Sequence, residues 1–192
     1  MVVLTIQPVV YQDNLDELGI RIIRIFDPIV GSFVVNREKG LGELDNSWFH
    51  KPEKAELEGD KFIEYLRELG ELVLGVTSLN IRAKVGDPPF YPAFPAGGLE
   101  GIAFVSTYYL HLRSQEALTK AAAHEVGHGL GLRDHPCDVK TQNGLSCLMV
   151  YELGSLIWRP ITTNQAYEVE YGFCESCYKQ LMEKHMPQLV ME

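Results

Sequence analysis

The hydrophobic pattern of the first forty residues predicts a strand, a helix and a second strand. VVLTIQPVVY (2–11) is rich in β-branched residues and predicts a strand. Apolar residues then recur at helical spacing, at Leu15, Leu18, Ile22 and Phe26. Asn14 can cap this helix, and Pro28 predicts its end because proline removes a backbone donor. GSFVVNRE (31–38) predicts the second strand.

The middle of the chain predicts one helix, two strands and two irregular segments. Residues 40–59 are polar and interrupted by glycine and proline, which favours a loop. Residues 60–70 have the apolar spacing of a helix, and ELVLGVTSLNI (71–81) predicts a strand. GDPPFYPAFPAGG (86–98) carries four prolines and is therefore expected to be irregular. LEGIAFVSTYYL (99–110) predicts the next strand.

Two further helices are predicted in the second half of the chain. Ser114 can cap a helix over about 115–130, which contains strong helix formers and ends at glycines. The last helix is expected over about 164–185. A strand-rich N-terminal half followed by a helical C-terminal part predicts an α/β (α+β) fold with a mixed, mostly N-terminal sheet.

Composition indicates one domain and narrows the classes of partner. The chain has 192 residues, 46% of them hydrophobic, and no visible linker, so a single domain over 1–192 is expected. No stretch approaches the roughly 20 apolar residues of a membrane helix, and the N-terminal residues lack the features of a signal peptide. A net charge of −9 argues against nucleic acid or an anionic membrane as the main partner. We therefore expect a cytoplasmic protein; the sequence leaves its oligomeric state open.

The segment HEVGHGLG (124–131) has the pattern of a zinc-binding helix. His124 and His128 are one helical turn apart, so both imidazoles leave the same face and can bind one ion. Glu125 lies beside them and can act as a general base on a zinc-bound water without occupying a coordination position. Gly131 allows a left-handed turn that returns the chain, and a third ligand, to the metal.

Two residues compete for the place of the third zinc ligand. Asp134 is the third residue after Gly131, which is where the returning turn delivers a side chain. Zinc binds aspartate oxygen at about 2.0–2.2 Å, a distance similar to that for histidine nitrogen. His135 is the alternative, because imidazole suits zinc well and Pro136 could shift the turn by one residue. We predict Asp134, in which case His135 is a supporting partner or a surface residue.

Cysteine usage indicates a second metal site. The four cysteines are Cys137, Cys147, Cys174 and Cys177. In a reducing cytoplasm they favour metal ligation over disulfides, and a Cys-x-x-Cys pair can reach one tetrahedral ion. A secreted domain held by two disulfides is the weaker alternative.

These motifs together resemble the archaemetzincins, small zinc-dependent peptidases of the metzincin type. The resemblance rests on the zinc-binding helix, Cys137, the Cys147-x-Met149 segment and the Cys174-x-x-Cys177 pair. It covers about the last 70 residues by motif. It implies a compact domain in which a mixed sheet lies over the active-site helix.

The resemblance also implies a function and roles for individual residues. It implies a metallopeptidase with a catalytic zinc on His124 and His128, with Glu125 as general base. It further implies a structural zinc on the four cysteines. Met149 matches the methionine that lies in a turn beneath the metzincin zinc, and Tyr151 matches a tyrosine that polarises the scissile carbonyl in some metzincins.

One departure from the family pattern keeps a second function open. The family has a histidine where this chain has Asp134, although the snapalysins resemble this chain in having aspartate there. With a weaker catalytic site, the chain would be a catalytically silent zinc protein retained for peptide binding or for a structural role. Hydrolysis of a peptide or protein substrate remains the first hypothesis.

The resemblance also suggests where a peptide substrate binds. Metzincins pair an extended peptide with the edge strand that precedes the active-site helix, and GIAFVST (101–107) matches in order. An ordinary interior strand is the competing interpretation.

Overall fold

The structure is a computed structural model. It describes residues 1–11, 15–38, 40–41, 44–51, 54, 56–84, 96–108, 114–135, 141–142, 144, 146–149 and 171–186.

The described elements alternate between strands and helices along the chain. The strands are β1 Val2–Val9, β2 Phe33–Arg37, β3 Phe49–Lys51, β4 Glu56–Glu58, β5 Val73–Thr77, β6 Asn80–Arg82, β7 Ala96–Leu99, β8 Ile102–Ser106, β9 Ser146–Cys147 and β10 Tyr171–Gly172. The helices are α1 Leu15–Val30, α2 Gly59–Glu68, α3 Gln115–Gly129 and α4 Glu175–His185, with a 3₁₀ turn at Asn46–Trp48.

A five-stranded sheet in the order β2-β1-β5-β8-β7 organises the described part of the chain. Its first four strands are parallel to their neighbours, and β7 runs antiparallel to β8. Strands β3, β4 and β6 form a smaller mixed sheet, and β9 pairs with β10. Parallel and antiparallel strands therefore combine with four described helices, which confirms the predicted α/β class.

The large sheet is buried on both faces because successive side chains of a strand point to opposite sides. On one face, Leu74 and Ala103 belong to the core formed with α1, α3 and α4. On the other face, Val73 and Phe104 belong to a second core formed with α2. Helix α3 is thereby held against β7 and β8, and its residues 117–127 are buried throughout.

Most predicted elements are present, and five predicted segments differ from the structure. Helix α1 continues through Pro28, because Pro28 lies on the exposed side while Ile29 and Val30 are buried and hold the last turn. The predicted strand 71–81 is divided into β5 and β6, and the predicted loop 40–59 contains two short strands.

The fourth and fifth differences concern segments on either side of the predicted zinc helix. The predicted strand 99–110 begins with a reversal: Leu99 ends β7, and a two-residue turn at Glu100 and Gly101 leads into β8. The last helix begins at Glu175 rather than near residue 164, with β10 before it. Residues 164–170 lie outside the described part of the chain, as does Asn14. No described helix combines the length and apolar character that a bilayer crossing requires.

Candidate metal centres

Helix α3 carries the candidate chemistry and is fixed at both ends. At its start the Ser114 hydroxyl oxygen accepts a hydrogen bond from the Ala117 N–H at 3.1 Å, which confirms the predicted cap. Near its end, His124 and Glu125 are buried, with 4% and 6% of their surface exposed. A buried helix of this kind cannot rotate its histidines away from the site without disrupting the core.

The end of α3 is a tight turn that reverses the chain toward the histidines. Gly131 has φ +94°, which favours glycine as the sequence predicted. The Gly131 N–H donates to the His128 carbonyl at 2.8 Å, and the Leu132 N–H donates to the Gly127 carbonyl at 2.9 Å. These two bonds define a Schellman motif. The chain leaves the helix in one fixed direction, and Asp134 follows three residues after the glycine.

Both histidines present the same ring nitrogen to the site. The Nδ1–H of His124 donates to the Leu148 carbonyl at 2.8 Å, and the Nδ1–H of His128 donates to the Leu132 carbonyl at 3.0 Å. Because a carbonyl oxygen only accepts, each Nδ1 must carry its hydrogen, which leaves each neutral Nε2 with a free lone pair. Backbone hydrogen bonds at the far nitrogen are the usual way that proteins orient zinc-binding histidines.

Three ligand atoms meet at this point. The Nε2 atoms of His124 and His128 are 3.2 Å apart, and Asp134 Oδ1 lies 3.3 Å from each of them. A tetrahedral ion with bonds of about 2.0–2.1 Å holds its ligand atoms about 3.3–3.4 Å apart. The spacing and the donor types both fit a zinc ion.

Charge at this cluster favours a cation. The hydrogen bond from His124 is the main cause that lowers the pKa of Asp134, and the charge of His128 adds to it against the effect of burial. Burial is the largest influence on His124 and would lower its pKa, but Asp134, Glu125 and the Leu148 carbonyl together raise it. Burial, followed by the neighbouring His124, lowers the pKa of His128. The proton that Asp134 and Glu125 stabilise on His124 lies on Nε2, the atom that becomes a free ligand when a metal cation replaces that proton.

Glu125 lies next to the three ligand atoms. One of its oxygens and one ring nitrogen from each of His124 and His128 lie within 4.8 Å of one another. Burial raises the pKa of Glu125 to about 7; the charge of His124 opposes this rise and that of Asp134 adds to it. A carboxyl group with a pKa near neutrality is suited to take and return a proton.

A second cluster brings three of the four cysteines together with His135. Cys147 comes from β9, Cys174 is the cap of α4, and Cys177 lies in the first turn of α4. His135 Nε2 is 2.8 Å from Cys177 Sγ and 3.3 Å from Cys174 Sγ, and the Sγ atoms of Cys147 and Cys177 are 3.9 Å apart. The described cysteines are free thiols, so their grouping does not come from disulfides.

The thiols also influence one another's ionisation. A hydrogen bond from Cys177 is the main cause that lowers the pKa of Cys147 to about 5, with the backbone N–H groups of Cys174 and Met149 adding to it. The hydrogen bond to Cys147 and burial in turn raise the pKa of Cys177. A bound cation would stabilise the thiolate form of more than one of these cysteines, and zinc is the ion that cysteine and histidine prefer.

Other predicted site residues fall in three groups. Met149 is fully buried and its sulfur lies 2.5 Å from where a Cβ on Gly127 would be, directly beneath α3. His135, the alternative third ligand, is half-buried with its Nε2 against Cys177 and Cys174. Cys137 and Tyr151 lie outside the described residues, and their predicted roles stay predictions.

The predicted substrate-binding strand requires a correction. Of the two interpretations of GIAFVST (101–107), the substrate-pairing edge strand is wrong and the ordinary strand fits, because β8 is paired with β5 on one side and β7 on the other. The error arose because the reversal at Gly101, with φ +79°, was taken as part of one long strand. Within the described residues β7 is the edge strand of the five-stranded sheet next to β8, and it passes over α3. A Cβ at Gly98 would lie 2.6 Å from the His128 Cβ and 3.1 Å from a Glu125 carboxylate oxygen.

Similar folds are found among solved structures. The chain is similar to an archaemetzincin from Methanopyrus kandleri, with a TM-score of 0.67, 18% identity and 95% coverage of both chains. It is also similar to a zinc-dependent peptidase from Methanocorpusculum labreanum, with a TM-score of 0.56, 17% identity and coverage of 93% of this chain and 99% of that one. No protein-family model and no curated protein matches the sequence. The chain therefore has a mixed α/β fold. More particularly, it is the archaemetzincin fold.

We expect the buried Glu125 carboxylate to make stability depend on pH while the histidine site holds no metal. Its folded pKa of about 7 exceeds the usual 4.5, so its contribution is fully favourable below pH 4.5 and is lost as the pH rises through 7. Glu125→Gln should therefore match the wild type near pH 4.5 and exceed it at pH 8 by up to about 3 kcal/mol.

Urea unfolding of both proteins, with EDTA added and metal content measured, tests this expectation. The same difference between the two proteins at both pH values would show that Glu125 does not ionise as described.

Proposed function

We propose that this chain is a zinc metallopeptidase of the metzincin type that hydrolyses peptide bonds, with Glu125 as general base. The observation that carries the proposal is the set of three ligand atoms from His124, His128 and Asp134 at 3.2–3.3 Å, with Glu125 beside them. The similar structure from Methanocorpusculum labreanum is described as a zinc-dependent peptidase, which supports the same chemistry here.

Each residue of the site has a distinct role in the proposed hydrolysis. Zinc, when bound, would polarise the scissile carbonyl and lower the pKa of the attacking water. Glu125 takes the proton of that water and delivers it to the leaving amine, as its near-neutral pKa allows. The Leu148 and Leu132 carbonyls hold the two imidazoles in the orientation that ligation needs.

Asp134 is, in our proposal, the third ligand of the catalytic zinc. Its Oδ1 lies equally far from both Nε2 atoms, and the turn at Gly131 delivers it there. An anionic ligand lowers the net positive charge at the metal, which makes a bound water less acidic and the enzyme slower. This effect favours the second candidate function, a catalytically silent zinc protein that binds peptides, so turnover has to be measured.

We further propose that the substrate is an extended peptide or protein segment that pairs with β7. Edge pairing uses backbone hydrogen bonds and therefore accepts many sequences. Gly98 brings the β7 backbone against His128 and Glu125, so a peptide along this strand would pass over the candidate metal. Nucleic acid and membrane partners are not part of this proposal. A cytoplasmic setting is supported by the three described free thiols.

Activity should depend on Glu125 and on metal. We expect the zinc-loaded protein to cleave a mixed peptide library, and a chelator to abolish cleavage. Glu125→Gln should lower turnover about 10²–10⁴-fold while retaining zinc, because it removes proton transfer and no ligand. Mass spectrometry of the products and metal analysis of both proteins provide the measurement.

Two outcomes would oppose the peptidase proposal. Turnover unchanged in Glu125→Gln would indicate a different site or a contaminating protease. Fully zinc-loaded wild type that binds peptides without cleaving them would favour the silent binding protein.

Space above α3 should limit position 98 to glycine. Gly98→Ala places a Cβ 2.6 Å from the Glu125 carbonyl oxygen, so β7 or the base must move. A displacement near 1 Å at a catalytic site typically costs about 10²-fold, and we expect a loss of kcat/KM of that order. Gly172→Ala is the matched control, since its Cβ would meet only Thr141 Cγ2 at an ordinary 3.5 Å. Equal kcat/KM in the two variants would remove the argument for β7.

A further inference from the structure

Two consecutive residues contribute to different clusters. Asp134 Oδ1 is 3.3 Å from the Nε2 atoms of His124 and His128, whereas His135 Nε2 is 2.8 Å from Cys177 Sγ. Neighbouring residues in extended chain point in opposite directions, so one short segment can serve two sites. The segment that follows α3 thus lies between the two clusters of candidate ligands.

His135 completes a set of four ligands. The ligand atoms of His135, Cys147, Cys174 and Cys177 all lie within 4.8 Å of one another. Three cysteines with one histidine form one of the common tetrahedral zinc sites. A tetrahedral zinc with bonds of about 2.3 Å to sulfur holds the sulfurs about 3.8 Å apart, and Cys147 and Cys177 are 3.9 Å apart. These four residues therefore fit zinc without a fourth cysteine.

Three consecutive residues connect the two clusters. Cys147 belongs to the thiol cluster, and the carbonyl of the next residue, Leu148, orients His124. The Met149 carbonyl accepts the His135 N–H at 2.7 Å. The turn at 147–149 is thus joined to His135 by a backbone hydrogen bond and to the catalytic helix by a histidine. All three residues of this turn are fully buried.

We propose that His135 binds a second zinc ion together with Cys147, Cys174 and Cys177, and that this ion positions Asp134 and the Leu148 carbonyl for the catalytic zinc. His135 acts through its neighbours and is a positioning residue. The positioning half of the proposal rests on the proposed function, because it assumes a catalytic zinc at His124, His128 and Asp134.

The consequence is that the two zinc affinities are coupled. Without the second ion, residues 134–135 and 147–149 keep their hydrogen bonds. They lose the zinc-mediated connection to the cysteines of α4. Ordering them then costs conformational entropy when the catalytic zinc binds. Coupling of this kind typically changes an affinity about 5–150-fold, and thermodynamic linkage makes the effect reciprocal.

Cobalt titration distinguishes the sites, because cobalt bound to thiolates has an intense charge-transfer absorption and cobalt bound to nitrogen and oxygen lacks it. Wild type should bind two Co²⁺ per chain. His135→Ala should weaken the thiolate-type site at least about tenfold. It should also weaken the other site about 5–150-fold. His135→Cys should restore both, because it returns a zinc ligand to the same position.

Matched variants separate the possible ligands. Asp134→Ala should lose the site that lacks thiolate absorption and keep the thiolate site. Cys137→Ser should keep both sites. If Cys137→Ser abolishes the thiolate absorption, or a folded His135→Ala retains it at wild-type affinity, His135 is not the ligand. Where His135→Ala does not fold, the Cys137→Ser result alone decides.

The coupling has its own test. A His135→Ala protein with a weakened thiolate site and an unchanged affinity at the histidine site would overturn the positioning role. Peptidase activity is not needed for any of these measurements, so a protein that binds both ions as described but cleaves nothing would contradict only the proposed function.

Discussion

The structure depends on three lone pairs that converge on one small volume. His124 Nε2, His128 Nε2 and Asp134 Oδ1 are 3.2–3.3 Å apart, and their lone pairs repel one another unless a proton or a metal cation lies between them. The fold therefore has to hold them together against that repulsion. Burial of α3 between the sheet and α1 fixes the two histidines. The Schellman turn fixes the aspartate.

Small residues make this arrangement possible. Gly127 leaves room for the Met149 sulfur beneath the helix, and Gly98 leaves room for β7 above it. Both approaches come so close that a single methyl group at either glycine would collide. The helix is thus enclosed from two sides while its ligand atoms face the third. A metal site of defined geometry requires ligand side chains that are held rigidly by packing and by backbone hydrogen bonds.

The sequence predicted this helix well because its signals are local. The cap at Ser114, the spacing of His124 and His128, and the need for glycine at 131 each involve residues within one or two turns. The strand order could not be predicted in the same way. The turn at Gly101 separates two apolar segments that look continuous in sequence, and only tertiary pairing shows that β8 is interior. His135 was missed as a partner of the cysteines because its contacts are 39 and 42 residues away in sequence.

Anomalous diffraction at the zinc edge from crystals of the zinc-loaded protein tests the central claim most directly. The account predicts one peak about 2.0–2.2 Å from His124 Nε2, His128 Nε2 and an Asp134 oxygen. It predicts a second peak among His135, Cys147, Cys174 and Cys177. A catalytic peak bound by His135 in place of Asp134, or no peak between the two histidines, would contradict it.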